Sequence, residues 1–171
     1  QAISFGAACC NYTRLRAFLV QGGTLCGAVA EDVLTGRTVE IHARAVVNAA
    51  GPWADRIRQL SDTSATARLA QTKGIHLIIP RVAQQALFVQ TRADHRLVFI
   101  LPWGDYSLVG TTETALDGSL DALCANANEV GYLLDQVNHL LPGSHVQEDD
   151  VISTFAGARP LLSFTGSAAQ A

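Results

Sequence analysis

The first fifty positions fall into strand-length runs of apolar and polar residues, punctuated by tight turns. Arg14 to Val20 forms one run, and Gln21-Gly22-Gly23 supplies a hairpin signal after it. Leu25 to Val33 follows and ends at Leu34-Thr35-Gly36, and Thr38 to His42 alternates apolar and polar side chains. These three runs predict an antiparallel meander. Ala45-Val46-Val47-Asn48-Ala49-Ala50-Gly51 has a different pattern, short and continuously small or apolar. That pattern predicts a strand buried on both faces. Pro52 then stands where a first helical residue belongs, because its missing N–H costs nothing there. Trp53, Ile57 and Leu60 follow at helical spacing.

The second half returns to strand patterns. Gly74 to Pro80, Ala86 to Gln90, Leu97 to Leu101 and Tyr106 to Gly110 are predicted strands, with Gly104-Asp105 turning the last two into a hairpin. Val130, Leu133, Leu134, Val137 and Leu141 share one face of a helix around 129 to 141, which Pro142-Gly143 ends. Val151 to Phe155 reads as a final strand. The polar stretch Ser61 to Ala67 marks a boundary, giving domains at 1–65 and 66–162 and a small, polar tail at 163–171 that is expected to fray.

Composition narrows the function classes. Twelve basic residues against 15 acidic ones give a net charge of −3, with no basic stripe for nucleic acid. Apolar residues make up 49% of the chain, enough for a core and too many for a disordered segment. The clean apolar run Leu97 to Leu101 is far shorter than the roughly 18 residues that span a bilayer. Cys9 and Cys10 are adjacent, Cys26 and Cys124 are isolated, and no Cys-x-x-Cys pair suggests a metal site. Reduced thiols in a reducing compartment are the expectation. The 171 residues contain no Met and begin with Gln1-Ala2-Ile3, which reads as an internal segment of a longer protein.

Several residues could carry chemistry. The small residues Asn48 to Gly51, followed by a helix start, would let a phosphate approach the backbone, or would simply make a tight turn. His76 sits in an apolar strand and by alternation shares a face with Gly74 and Ile78, as a catalyst or as a half-buried packing residue. Lys73 could meet an anion or be solvated. Thr111 and Thr112 could bind phosphate oxygens or cap a turn. Arg159 lies amid apolar neighbours and needs a partner, either a structural counter-charge or an anionic ligand held by its planar fork.

Together these segments resemble the FAD-dependent glycerol-3-phosphate dehydrogenases. The resemblance is carried by Ala43 to Asp55 (ARAVVNAAGPWAD), Lys73 to Arg81 (KGIHLIIPR), Val98 to Asp105 (VFILPWGD), Val109 to Glu113 (VGTTE) and Ser153 to Leu162 (STFAGARPLL). Gly131-Tyr132-Leu133-Leu134 is similar too. One departure is Glu113, where the family has Asp after the paired threonines. The resemblance implies an α+β / α/β fold of the D-amino-acid-oxidase-like flavoproteins. In that fold, part of a Rossmann-like FAD-binding domain (the meander plus the buried strand) joins a substrate domain with a mixed, largely antiparallel sheet and a packed helix.

The resemblance also implies roles. Asn48, Ala49, Ala50, Gly51 and Trp53 would approach FAD. His76 and Arg159 would be catalytic, with Lys73, Thr111, Thr112 and Arg159 binding substrate, and no metal is involved. The implied reaction is oxidation of sn-glycerol 3-phosphate to dihydroxyacetone phosphate, with electrons passed to quinone. The implied place is the cytoplasm, at most peripheral on the inner face of the membrane. Two alternatives stay open: another FAD-dependent oxidase or dehydrogenase of the superfamily, and a non-catalytic anion-binding domain. His76 and Arg159 are expected on one side of the substrate-domain sheet, facing a common opening. The isolated segment is expected to be colourless and inactive.

Overall fold

The computed structural model describes residues 1–91, 94–116 and 118–163. Residues 164–171 of the predicted tail therefore lie outside the described residues. The chain divides into two compact units, Gln1–Ala67 and a second that begins at Arg68.

In the first unit the meander is present. β1 (Thr13–Gln21) pairs antiparallel with β2 (Thr24–Asp32), which pairs antiparallel with β3 (Thr38–His42). Gly22 and Gly23 make the first turn with left-handed backbone, at φ +57° and +79°, where other residues would be strained. A single helical turn at Gly51–Trp53 carries Pro52 near its start and leads into α1 (Ala54–Ser61), as the proline predicted. The buried strand at Ala45 to Gly51 is not there. Residues 45–50 form no strand, and Val47 is 86% exposed. A strand buried on both faces needs a neighbour on each side. Among the described residues of this unit, β1, β2 and β3 pair only with one another.

The second unit is built around β4 (Leu69–Pro80), β5 (Leu87–Gln90), β6 (Leu97–Trp103), β7 (Tyr106–Gly110) and β8 (Thr114–Ala115). α2 (Ala127–Leu140) and β9 (Ser153–Leu162) complete it. β5, β6 and β7 run side by side. One edge of β4 pairs with β9 from Leu69 to Ile78. Its other edge pairs with β7 from His76 to Pro80 and with β8 at Thr72 and Lys73. Every ladder described in this sheet is antiparallel.

Side-chain alternation gives the sheet two unlike faces. Ile75, Leu77 and Ile79 of β4 join Val98, Ile100 and Val109 in a core with Leu133, Leu134 and Val137 of α2. The opposite face carries Gly74, His76 and Ile78, and its aromatics stay partly uncovered: Phe88, Phe155 and Trp103 are all exposed.

An ion pair between a buried Glu129 and a half-buried Lys73 pins the helix to its sheet. Asn126 caps α2 and accepts the Glu129 N–H, while the Glu129 carboxylate accepts the Asn126 N–H in return. The same carboxylate lies 2.8 Å from Lys73 Nζ and accepts the Thr114 hydroxyl at 2.7 Å. Burial pushes the Glu129 carboxyl up, but the hydrogen bonds from Lys73, Thr114 and the Asn126 N–H outweigh it and hold it below the usual range. A depressed carboxyl contributes stability that is present above its unfolded pKa and is lost as pH falls through its folded one. Stability should therefore decline on acidification below the ordinary Glu range. Glu129→Gln should cost about 1.5–3 kcal/mol in urea unfolding at neutral pH, because it takes the counter-charge from a Lys73 that is only 14% exposed. The acid-dependent component should flatten in that variant.

Candidate active site

β4 and its two neighbours bring together the groups of interest on the open face. His76 lies opposite Gly110 of β7 on one side and opposite Phe155 of β9 on the other. Its imidazole stacks on the Phe155 ring, with centroids 4.8 Å apart and planes 11° apart, and leans on Phe99 at 5.4 Å. Arg159 lies opposite Thr72, two register positions from Gly74 opposite Gly157. Paired residues of an antiparallel ladder share a face. Arg159 and His76 therefore occupy the same side of the sheet.

Two glycines make this arrangement possible. A Cβ on Gly110 would sit 2.2 Å from His76 Cδ2, and a Cβ on Gly74 would sit 2.3 Å from Arg159 Nη2. The imidazole and the guanidinium thus occupy volume that a side chain at either position would claim. The two clashes differ in kind. The imidazole is held between Phe155 and Phe99, whereas the guanidinium is the far end of a flexible chain. Gly110→Ala should consequently destabilise the protein by about 1–3 kcal/mol in thermal or urea melts. Gly74→Ala should melt nearly as wild type, with Arg159 swung off its partners.

The Arg159 guanidinium is fixed by hydroxyl and carbonyl groups. Nη2 donates to Thr111 Oγ1 at 2.7 Å and Nη1 to the Thr112 carbonyl at 3.3 Å. Among the described residues no carboxylate lies within ion-pair range of it. These two bonds use two of its five N–H donors. Arg159 lines a cleft of about 400 Å³ with Thr111, Thr112, Glu113, Arg96 and Asp94. Burial, and the positive charge of Arg159, hold His76 below the ordinary imidazole pKa of 6.5. The ring is neutral near pH 7 and able to accept a proton.

The other expected residues divide. Thr111 joins the site through its hydroxyl. Thr112 is 2% exposed, and its hydroxyl accepts the Ile75 N–H at 3.0 Å, so its side chain braces β4. Lys73 points to the core face, where it pairs with Glu129 and donates to the Cys124 carbonyl at 3.0 Å. It is not brought to His76 and Arg159, and alternation along β4 requires that, since Lys73 and His76 are an odd number of positions apart. The Glu113 carboxylate accepts the Thr72 hydroxyl at 3.2 Å. Spacing missed Arg96 and Asp94, which line the cleft from the turn ahead of β6, and Tyr132 of α2, whose hydroxyl donates to Asp94; no local signal marks these residues.

In the first unit, Asn48 organises the turn. Its Nδ2 donates to the Ala54 carbonyl at 2.9 Å and its Oδ1 accepts the Ala50 N–H at 3.2 Å. Ala49 and Trp53 are exposed, and Gly51 adopts φ +53° with open space where a Cβ would project. No group of His, Cys, Asp and Glu able to hold a metal occurs among the described residues, and its four cysteines are free thiols.

Known proteins are similar to this chain along nearly all of it. The sequence profile of the family "FAD dependent oxidoreductase" matches residues 1–168. The alpha-glycerophosphate oxidase of Streptococcus pneumoniae is 37% identical over 92% of the chain and 27% of its own length. The aerobic glycerol-3-phosphate dehydrogenase of Bacillus subtilis is 33% identical over 95% of the chain and 30% of its own length. The crystal structure of the glycerol-3-phosphate dehydrogenase from Bacillus halodurans, complexed with FAD, superposes with a TM-score of 0.88 at 34% identity, over 95% of this chain and 33% of that one. The chain thus spans roughly three tenths of the length of these relatives.

Proposed function

The chain belongs to the FAD dependent oxidoreductase family, and from that premise we propose that the protein carrying it oxidises sn-glycerol 3-phosphate to dihydroxyacetone phosphate. The observation that carries the reading is the open sheet face shared by the His76 imidazole and an Arg159 guanidinium with spare donors. A polyol phosphate needs one group to take a proton from its hydroxyl and another to hold its anion.

The residues divide the work as follows. Arg159 binds the phosphate by charge-assisted hydrogen bonds and orients the substrate. His76 accepts the proton of the C2 hydroxyl as the C2 hydride leaves, and the Phe155 and Phe99 rings keep the imidazole in place and partly dry. Thr111 holds the guanidinium. Asn48, Ala49, Ala50, Gly51 and Trp53 are the residues proposed to hold FAD; the open, left-handed turn at Gly51 and the exposed Asn48 and Ala49 ahead of it leave room for a bulky group. Bound FAD supplies the redox chemistry, as acceptor of the hydride.

Quinone as the next electron acceptor, a cytoplasmic place and a peripheral seat on the membrane are part of the same proposal. No helix among the described residues is long and apolar enough to cross a membrane. The deciding experiment is turnover by the FAD-loaded whole protein on sn-glycerol 3-phosphate and on a panel of amino acids. Activity confined to the phosphate ester supports the reading. Activity confined to the amino acids assigns Arg159 to a carboxylate instead and overturns it.

A further inference from the structure

Arg159 owes its place to three residues that leave the sheet. Thr111-Thr112-Glu113 runs from the end of β7 at Gly110 to the start of β8 at Thr114. Both acceptors of the Arg159 guanidinium belong to it. A connection without a ladder of its own is only as fixed as the ties made to it from outside. From β4, the Ile75 N–H reaches Thr112 Oγ1 and the Thr72 hydroxyl reaches the Glu113 carboxylate. Another tie comes from Arg96, just ahead of β6, whose Nη1 donates to the Glu113 carbonyl at 2.6 Å.

Arg96 is itself aimed. Its Nε lies 3.4 Å from Asp94 Oδ2, and its backbone N–H donates to the Thr91 hydroxyl at 3.0 Å. Asp94 accepts the Thr91 hydroxyl and, at 3.1 Å, the Tyr132 hydroxyl from α2. A continuous path of bonds therefore runs from α2 through Asp94 and Arg96 to the segment that fixes Arg159. A partly exposed Asp–Arg pair contributes little stability by itself. One guanidinium that meets a carboxylate and a carbonyl at once uses the planar fork, which a lysine lacks.

We infer that Arg96 is a positioning residue for Arg159: by clamping the Glu113 carbonyl it holds Thr111 and Thr112 where they fix the guanidinium for an anionic substrate. The inference rests on the proposed role of Arg159 as the group that holds the anion.

The test uses Arg96→Gln, Arg96→Lys and Asp94→Asn in the whole protein. It reads KM and kcat with sn-glycerol 3-phosphate, and the His76 ring titration by NMR in the flavin-free form. Arg96→Gln should raise KM roughly tenfold with a smaller change in kcat, and Arg96→Lys should recover part of the loss. An unchanged KM in Arg96→Gln overturns the inference. Asp94→Asn is nearly isosteric, so it decides the matter even if the Arg96 variants fold poorly. Removing an anion by itself lowers a nearby imidazole pKa, whereas loosening Arg159 withdraws a cation and raises it. A rise in Asp94→Asn supports the inference; a fall or no movement overturns it. A protein that does not oxidise the phosphate ester would refute the proposed substrate, while the titration would still decide the role of Arg96.

Discussion

Replacing Arg159 by Lys should lower kcat/KM for sn-glycerol 3-phosphate roughly a hundredfold, since hydrogen bonds to charged groups are worth about 1.5–3 kcal/mol and the variant loses the fork that makes them in pairs. The loss should appear in the steady-state kinetics of the FAD-loaded whole protein. It follows from how the guanidinium is held. Thr111 Oγ1 and the Thr112 carbonyl grip the same planar group, leaving its remaining donors preset in direction. A lysine keeps the charge, but a single ammonium cannot serve both acceptors and an anion at the same angles. The ratio of activity on the phosphate ester to activity on unphosphorylated glycerol should fall with it, because glycerol never used the fork. Kinetics near wild type for Arg159→Lys would show that the anion is held elsewhere.

Replacing His76 by Gln should reduce kcat by about 10²–10⁴-fold with little change in KM, the range removed with a general base. The imidazole is wedged between two phenylalanine rings over a glycine, so Gln fills much of the space while losing the base. The pH profile carries the same assignment. A base acts only when neutral, so the rate of the wild type should fall as pH drops through the His76 pKa. Burial and the Arg159 charge place that acid limb below 6.5. Arg159→Gln should displace the limb to higher pH while leaving burial in force. A limb that stays put in that variant would separate the two residues and dismantle the site.

The pattern of the chain made some of this legible and hid the rest for identifiable reasons. The meander, the hairpin at Gly104-Asp105 and the capped amphipathic helix α2 depend on local signals, turn residues and periodicity that act over a few positions. The alternation along β4 put His76 with Gly74 and apart from Ile75 and Leu77, as the sheet has it. Applied to Lys73, the same alternation already puts that side chain on the other face. The full lengths of β4 and β9 were hidden. Gln71 and Thr72 at one end and Pro160 at the other do not look like strand interior, and only their mutual pairing makes them so. Ala45 to Asn48 misled in the opposite direction, because a pattern made for burial needs flanking strands. Arg96, Asp94 and Tyr132 were out of reach altogether. Their partnership joins positions up to 38 apart in the chain, and no spacing rule anticipates it.

The two-faced character of β4 also bears on what kinds of genetic change this chain tolerates. Its odd-numbered residues Ile75, Leu77 and Ile79 belong to the core, and the interleaved Gly74 and His76 belong to the open face. Loss or gain of a single codon within the strand would exchange the two inventories at every later position. Leucine and isoleucine would stand where the imidazole belongs, and histidine would be driven into the packed interior. Such a frame-preserving indel would abolish folding and chemistry together, so the evolutionary fates of stability and activity are locked in this strand. Indels of two codons keep the parity, and within β4 they are the smallest length change through which a lineage could pass with both faces intact.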